Sequence, residues 1–115
     1  MADESLTFGL SQNILLDFEN IFSHYPEIQQ VLIFGSRAKN TFKDGSDIDL
    51  AVFASNMETS RFTQLWNEID NLPLVFRVDC IHWDQLNNQA LKSKIIAEGR
   101  VFYSPSSRNS KISPG

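Results

Sequence analysis

Between Val31 and Phe53 the chain sets two aspartates into a stretch that otherwise reads as buried strand. Val31-Leu32-Ile33-Phe34 runs into Gly35-Ser36, and ten residues of mostly polar loop lead to Asp47-Ile48-Asp49 and then Leu50-Ala51-Val52-Phe53. The two apolar runs predict core strands. With a period of two, Asp47, Asp49, Ala51 and Phe53 share one face of the second strand, and Ile48, Leu50 and Val52 share the other. Two carboxylates on such a face are costly unless a cation accompanies them. The fold has to put this pair where a cation can reach it.

Size narrows the options. A chain of 115 residues suits a single core, here expected over 1–103, with 104–115 a frayed tail lacking apolar periodicity. A hydrophobic fraction of 42%, including nine phenylalanines, indicates a globular fold. The net charge of -4 argues against direct nucleic-acid binding, which usually shows a basic face. Cys80 is the single cysteine, so no internal disulfide forms, and Cys and His are too few for a zinc module. The acidic start, Met1 to Ser5, is not that of a signal peptide, and no apolar run has transmembrane length. A cytoplasmic protein with no membrane partner is expected.

Leu10, Ile14, Leu15, Phe18, Ile21 and Phe22 recur at helical spacing, with Ser11 as N-cap and Pro26 as a stop. Ile28–Phe34 reads as a strand covered on both faces, Gly35–Asn40 as a turn or short helix, and Lys43-Asp44-Gly45-Ser46 as turn chemistry. The short connection between the first two strands favours an antiparallel pair. Thr59 or Ser60 is placed to cap a second helix, whose stripe is Phe62, Leu65, Trp66, Ile69 and Leu72. The spacing predicts a third strand over Leu74–Ile81, reached by a helical crossover and so parallel to the second. Asp84 is read as the cap of a third helix ending at Gly99, and Arg100–Tyr103 as an edge strand. The fold class is therefore α/β (α+β): a small mixed β-sheet backed by helices.

Two aspartates at i and i+2 have Cα atoms roughly 6.5 Å apart on one face and can share an ion or bracket a pair of ions. Without a cation they repel, and at least one pKa rises. Mg²⁺ suits them, because it seeks one or two carboxylates together with phosphate oxygens. Asp79, one strand over, is the natural third ligand. Gly35 lets the backbone approach a phosphate, and the N–H groups that follow, with the Ser36 hydroxyl, can donate to its oxygens. Arg37, Lys39 and Lys43 add positive charge to the same loop. Metal ligands beside a phosphate cradle point to phosphoryl or nucleotidyl transfer.

Gly35-Ser36, ten residues, Asp47-Ile48-Asp49, with Ser46 ahead and an apolar run behind, resembles the DNA polymerase beta nucleotidyltransferase superfamily. More narrowly, GSRA and SDIDLAV resemble its minimal nucleotidyltransferases, most closely over Val31–Phe53 and more weakly through Asp79 to Glu98–Tyr103. The resemblance implies a polymerase beta-like fold, with Asp47, Asp49 and Asp79 as catalytic residues and ligands of a two-metal Mg²⁺ site. It makes Asp79 the base on the acceptor hydroxyl. Gly35, Ser36 and Arg37 would bind the donor, ATP or another nucleoside triphosphate. It implies a HEPN-type helical partner encoded nearby, in a toxin–antitoxin pair where AMP passes to a hydroxyl of that partner, and assembly as a homodimer or heterotetramer. Relatives often carry Arg-Gly where this chain has Lys39-Asn40. The alternatives are a kanamycin nucleotidyltransferase-like enzyme for small molecules, completed by a substrate-binding subunit, and a catalytically idle module that blocks its partner.

Other residues take plainer readings. Asp79 could pair with Arg77, Ser36 could simply cap a short helix, and Arg37 could form a structural salt bridge instead of touching nucleotide. His24 and His82 have no partner at ligand spacing, Trp66 and Trp83 suit core or interface, and Cys80 suits a buried site. Phe8, Phe42 and Trp83 could contribute to an exposed apolar patch for dimerisation.

Overall fold

In the computed structural model, which describes residues 7–41 and 45–105, the first helix opens on Ser11 as its spacing predicts. The Ser11 Oγ accepts the Ile14 N–H at 3.3 Å, which satisfies a donor that a helix start leaves open. Helix α1 (Gln12–Ser23) buries Phe18, Ile21 and Phe22. Strand β1 (Gln30–Phe34) then enters the core with Val31 to Phe34 all buried. It pairs antiparallel with β2 (Ile48–Phe53), as the short connection between them requires. Helix α2 (Thr59–Asp70) crosses over to β3 (Val78–His82), which runs parallel to β2. A short 3-10 turn (Trp83–Gln85) and helix α3 (Gln89–Glu98) lead to β4 (Arg100–Tyr103), antiparallel to the other side of β1. The sheet order is β3-β2-β1-β4.

Strand alternation divides the apolar residues between two layers. Val31, Ile33, Ile48, Leu50, Val52 and Cys80 pack with α1 and α2. Leu32, Phe34 and Ala51 pack with Ile95 of α3 on the opposite face. Ile33, Ile48 and Leu50 are fully buried, each contributing about 1.5–3 kcal/mol of transfer free energy. Both faces of the central strands are thus covered. Asp49 lies on the α3 side, the side with fewer apolar residues.

Three sequence expectations shift. The third strand begins at Val78 and not at Leu74, because β2 offers no partner before Ile48, whose N–H reaches the Arg77 carbonyl at 2.9 Å. Neither Thr59 nor Ser60 caps α2; its N-cap is Glu58, with no side-chain hydrogen bond. Asp84 caps no helix either. Its Oδ2 accepts the Ala54 N–H at 2.8 Å, tying the end of β2 to the 3-10 turn, and Asn88 caps α3 through the Leu91 N–H at 3.0 Å.

Phe8 and Trp83 do not share one patch. Phe8 packs against Phe102 with centroids 6.1 Å apart, on the α1 side of the sheet. Trp83 stacks on Phe53 at 4.6 Å, on the α3 side. Phe42, Lys43, Asp44 and the tail from 106 onward lie outside the described residues. Among the described residues no helix is long and apolar enough to cross a membrane.

Candidate active site

The site is laid out by strand register. Phe34 at the end of β1 lies opposite Asp49, and Asp49 lies opposite Asp79. Gly35, Asp49 and Asp79 therefore form a row across three strands at one end of the sheet. Asp47 sits two residues before Asp49 and is exposed just outside β2. Asp79 is exposed on β3, which is an edge strand, while Asp49 is only partly so. A cleft of about 330 Å³ lies between α2 and the segment that leads into β3, on the sheet face opposite Asp49, with Trp66, Leu74, Phe76 and Val78 in its walls and Asp79 among its lining residues.

Gly35 is required on two counts. Its φ of 80° lies in the left-handed region, and a Cβ there would stand 2.6 Å from the Asp49 Oδ2. The chain after it folds into a tight turn: the Lys39 N–H reaches the Gly35 carbonyl at 3.2 Å and the Thr41 N–H reaches the Ser36 carbonyl at 2.9 Å. Asn40 adopts a φ of 63°. Asparagine tolerates that region better than most side chains, so the turn forms here without a glycine.

Arg37 is 4% exposed and faces the protein. Its Nε and Nη2 both donate to the Ser46 carbonyl, at 3.1 and 2.9 Å, and its Nη1 donates to the Phe8 carbonyl at 2.9 Å. The guanidinium also lies 5.0 Å over the Phe76 ring. Burial pushes it below its ordinary pKa, and the neighbouring Asp47 opposes that shift. These contacts tie the start of the loop to its end at Ser46 through hydrogen bonds to carbonyls, where the plainer sequence reading expected a salt bridge.

The carboxylates are electrostatically coupled. Burial pushes the Asp49 carboxyl above its ordinary pKa, Asp79 and Asp47 push it further, and Lys94 of α3 pulls it back. Among the described residues no three His, Cys, Asp or Glu side chains already stand at metal-ligand geometry. The donor set nonetheless suits a hard divalent cation, since it is all carboxylate oxygen. Adding positive charge there would relieve the repulsion that raises Asp49.

Two residues near the site escaped sequence reasoning. Lys94 influences Asp49 from a helix 45 positions further along the chain. Glu98, one turn on, meets Lys39 of the loop at 3.7 Å. Neither carried a signal in the sequence: the packing of Ile95 on Leu32 and Phe34 is what brings this part of α3 to the site. Cys80 is buried with its thiol pushed up to about 12, and His82 is buried with its Nε2 2.9 Å from the Ala54 carbonyl. Both serve the core.

The sequence family described as "Polymerase beta, Nucleotidyltransferase" matches residues 17–108. No curated protein sequence matches the chain. Among solved structures, a toxin–antitoxin complex with AMP-PNP has a chain similar to this one at a TM-score of 0.64 and 21% identity, over 78% of this chain and 73% of that one. A substituted MntA–HpeT toxin–antitoxin complex gives 0.61 and 22%, over 83% and 73%. The Shewanella oneidensis tri-AMPylated HEPN toxin in complex with its MNT antitoxin gives 0.53 and 19%, over 83% and 76%. At such identities the likeness concerns the fold.

Proposed function

Because the chain belongs to the polymerase beta nucleotidyltransferase family, we propose that it transfers AMP from ATP to a hydroxyl of a HEPN-type partner protein, as the antitoxin of such a pair. The row Gly35, Asp49, Asp79 carries this reading. The missing Cβ at Gly35 lets the Asp49 carboxylate, which also faces Asp79, lie directly against the turn whose N–H groups would meet a polyphosphate. The AMP-PNP bound in one fold neighbour and the AMPylated toxin held by another support the choice of nucleotide and acceptor.

In this reading the Gly35 and Ser36 N–H groups and the Ser36 hydroxyl donate to the phosphate oxygens of the donor. Asp47, Asp49 and Asp79 would hold Mg²⁺, which when bound supplies positive charge to the phosphoryl group in transfer. Asp79, on the exposed edge strand, takes the proton of the acceptor hydroxyl. The freed oxygen attacks the α-phosphorus, and the bond to pyrophosphate breaks on the Gly35 side. In-line displacement needs nucleophile and leaving group on opposite sides, and the strand order β3-β2-β1 sets Asp79 and Gly35 at opposite ends of the row. An acceptor side chain would approach Asp79 from the open edge of the sheet, where β3 is the outermost strand.

The test is incubation with the protein encoded beside it, Mg²⁺ and α-labelled ATP. Label on the partner that disappears with Asp49→Asn supports the proposal. A complex that forms without label from any nucleotide would leave an idle binding module. Label on an added small alcohol but never on the partner would favour the small-molecule enzyme.

A further inference from the structure

The loop cations that the sequence offers to a nucleotide are largely engaged. Arg37 donates to the Ser46 and Phe8 carbonyls, and Lys39 meets Glu98 at 3.7 Å. Lys94 of α3 differs: it is exposed and makes no hydrogen bond or ion pair with another described residue. Its surroundings are well defined. Ile95, next to it, is fully buried against Leu32, Phe34 and Ala51, on the sheet face that carries Asp49. Glu98, four residues on and so on the same side of the helix, meets Lys39 in the loop that follows Gly35. These two contacts bring the turn of α3 that carries Lys94 to the end of the sheet where the row of carboxylates lies, next to the loop that follows Gly35.

We propose that Lys94 is a donor-binding residue, whose ammonium contacts the β- and γ-phosphates of the nucleoside triphosphate. This inference rests on the nucleotidyltransferase reading and extends it to a residue outside the motif. The acceptor reaches the row from the β3 edge, and the pyrophosphate leaves over the end of β1, which α3 overlies. A cation on α3 therefore meets the leaving phosphates and not the acceptor. It stabilises the charge that builds on them as the α-phosphorus bond breaks. A lysine on a long flexible stem suits this work, because an ammonium acts as a point charge with three donors.

Equilibrium binding of AMP, ADP and a non-hydrolysable ATP analogue, with Mg²⁺ and at two salt concentrations, tests the inference on wild type, Lys94→Gln, Lys94→Arg and Lys92→Gln. Lys92 lies over the Trp83 ring at 4.8 Å and serves as the control. Loss of one charge-assisted contact predicts that Lys94→Gln binds the triphosphate about tenfold more weakly while AMP affinity stays within about twofold. Lys94→Arg should recover most of the loss and Lys92→Gln should match wild type. Equal losses for AMP and the triphosphate, or no loss at all, would overturn the role of Lys94 while leaving the enzyme reading intact. A wild-type protein that binds the triphosphate no better than AMP would overturn both. Thermal melts of each variant separate a binding defect from unfolding, and a Lys94→Gln variant that melts early passes the test to Lys94→Ala.

Discussion

Asp49 occupies the space that a side chain at Gly35 would need, its Oδ2 lying 2.6 Å from where that Cβ would be. The glycine is also held at a φ of 80°. Gly35→Ala should therefore lose on two counts. Left-handed backbone for a residue with a Cβ costs about 1–2 kcal/mol, and the carboxylate must also be displaced. A double-mutant cycle in denaturant separates the two. In an Asp49→Ala background, Gly35→Ala should cost only the backbone part, while in the native background it should cost more and abolish transfer. Equal costs in both backgrounds would mean that the clash is relieved without strain.

The same carboxylate sets a trade between stability and function. The Asp49 carboxyl is raised above its unfolded value, first by burial and then by Asp79 and Asp47. The folded state therefore binds this proton more tightly than the unfolded chain. The fold is favoured below the unfolded pKa, and it loses that advantage as pH rises through the carboxylate range to the folded pKa. Asparagine never ionises. In metal-free protein Asp49→Asn should raise the melting temperature at neutral pH, and the gain should fade as the buffer is taken below the carboxylate range. With Mg²⁺ and nucleotide the order should reverse, since wild type alone gains binding free energy through linkage.

Arg37 gives a prediction of the opposite kind. Hydrogen bonds from its guanidinium reach the Ser46 and Phe8 carbonyls, so Arg37→Ala withdraws donors from part-buried acceptors, at about 1–3 kcal/mol for a group left unsatisfied. Arg37→Lys should recover little, because one ammonium cannot reproduce the paired Nε and Nη2 donation to Ser46. Urea titration of both variants measures this, and limited proteolysis around Ser46 should show earlier cleavage. A destabilisation in Arg37→Ala that Arg37→Lys fully repairs would mean that charge, not geometry, matters.

What could be read from the chain follows from how far each residue's partners lie. The antiparallel β1–β2 pair, the parallel β3 and the facing of Asp49 toward Asp79 all follow from strand alternation and loop length, which are local. Ser11 was legible as a cap for the same reason. Asp84 was misread because it has the chemistry of a helix cap, while its partner, the Ala54 N–H, lies 30 residues away. Leu74 to Phe76 continue an apolar alternation, yet pairing is set by where β2 begins, and the sequence around them does not state that. Lys94 was invisible for a tertiary reason. On its own helix it is an ordinary polar residue, and only the packing of Ile95 on Phe34 brings it to the site.

Away from the site, Tyr25 predicts how the fold responds to alkali. Its hydroxyl donates to Glu68 on α2, and its ring lies 4.5 Å under the Arg61 guanidinium, which holds Glu27 at 2.7 Å. Burial first, and then Glu68, push the Tyr25 pKa up to about 12. The neutral phenol is thus the form the fold prefers. Its contribution is complete below the unfolded value of about 10 and is lost as pH rises toward the folded value. Because Glu68 is partly solvated, the effect should be on the order of 1–2 kcal/mol after screening. Melting temperatures followed through this alkaline range should fall more steeply for wild type than for Tyr25→Phe, which has no proton to lose. Tyrosinate absorbance should show one tyrosine titrating late. Parallel curves for the two proteins would mean that Tyr25 ionises no later in the fold than in the open chain.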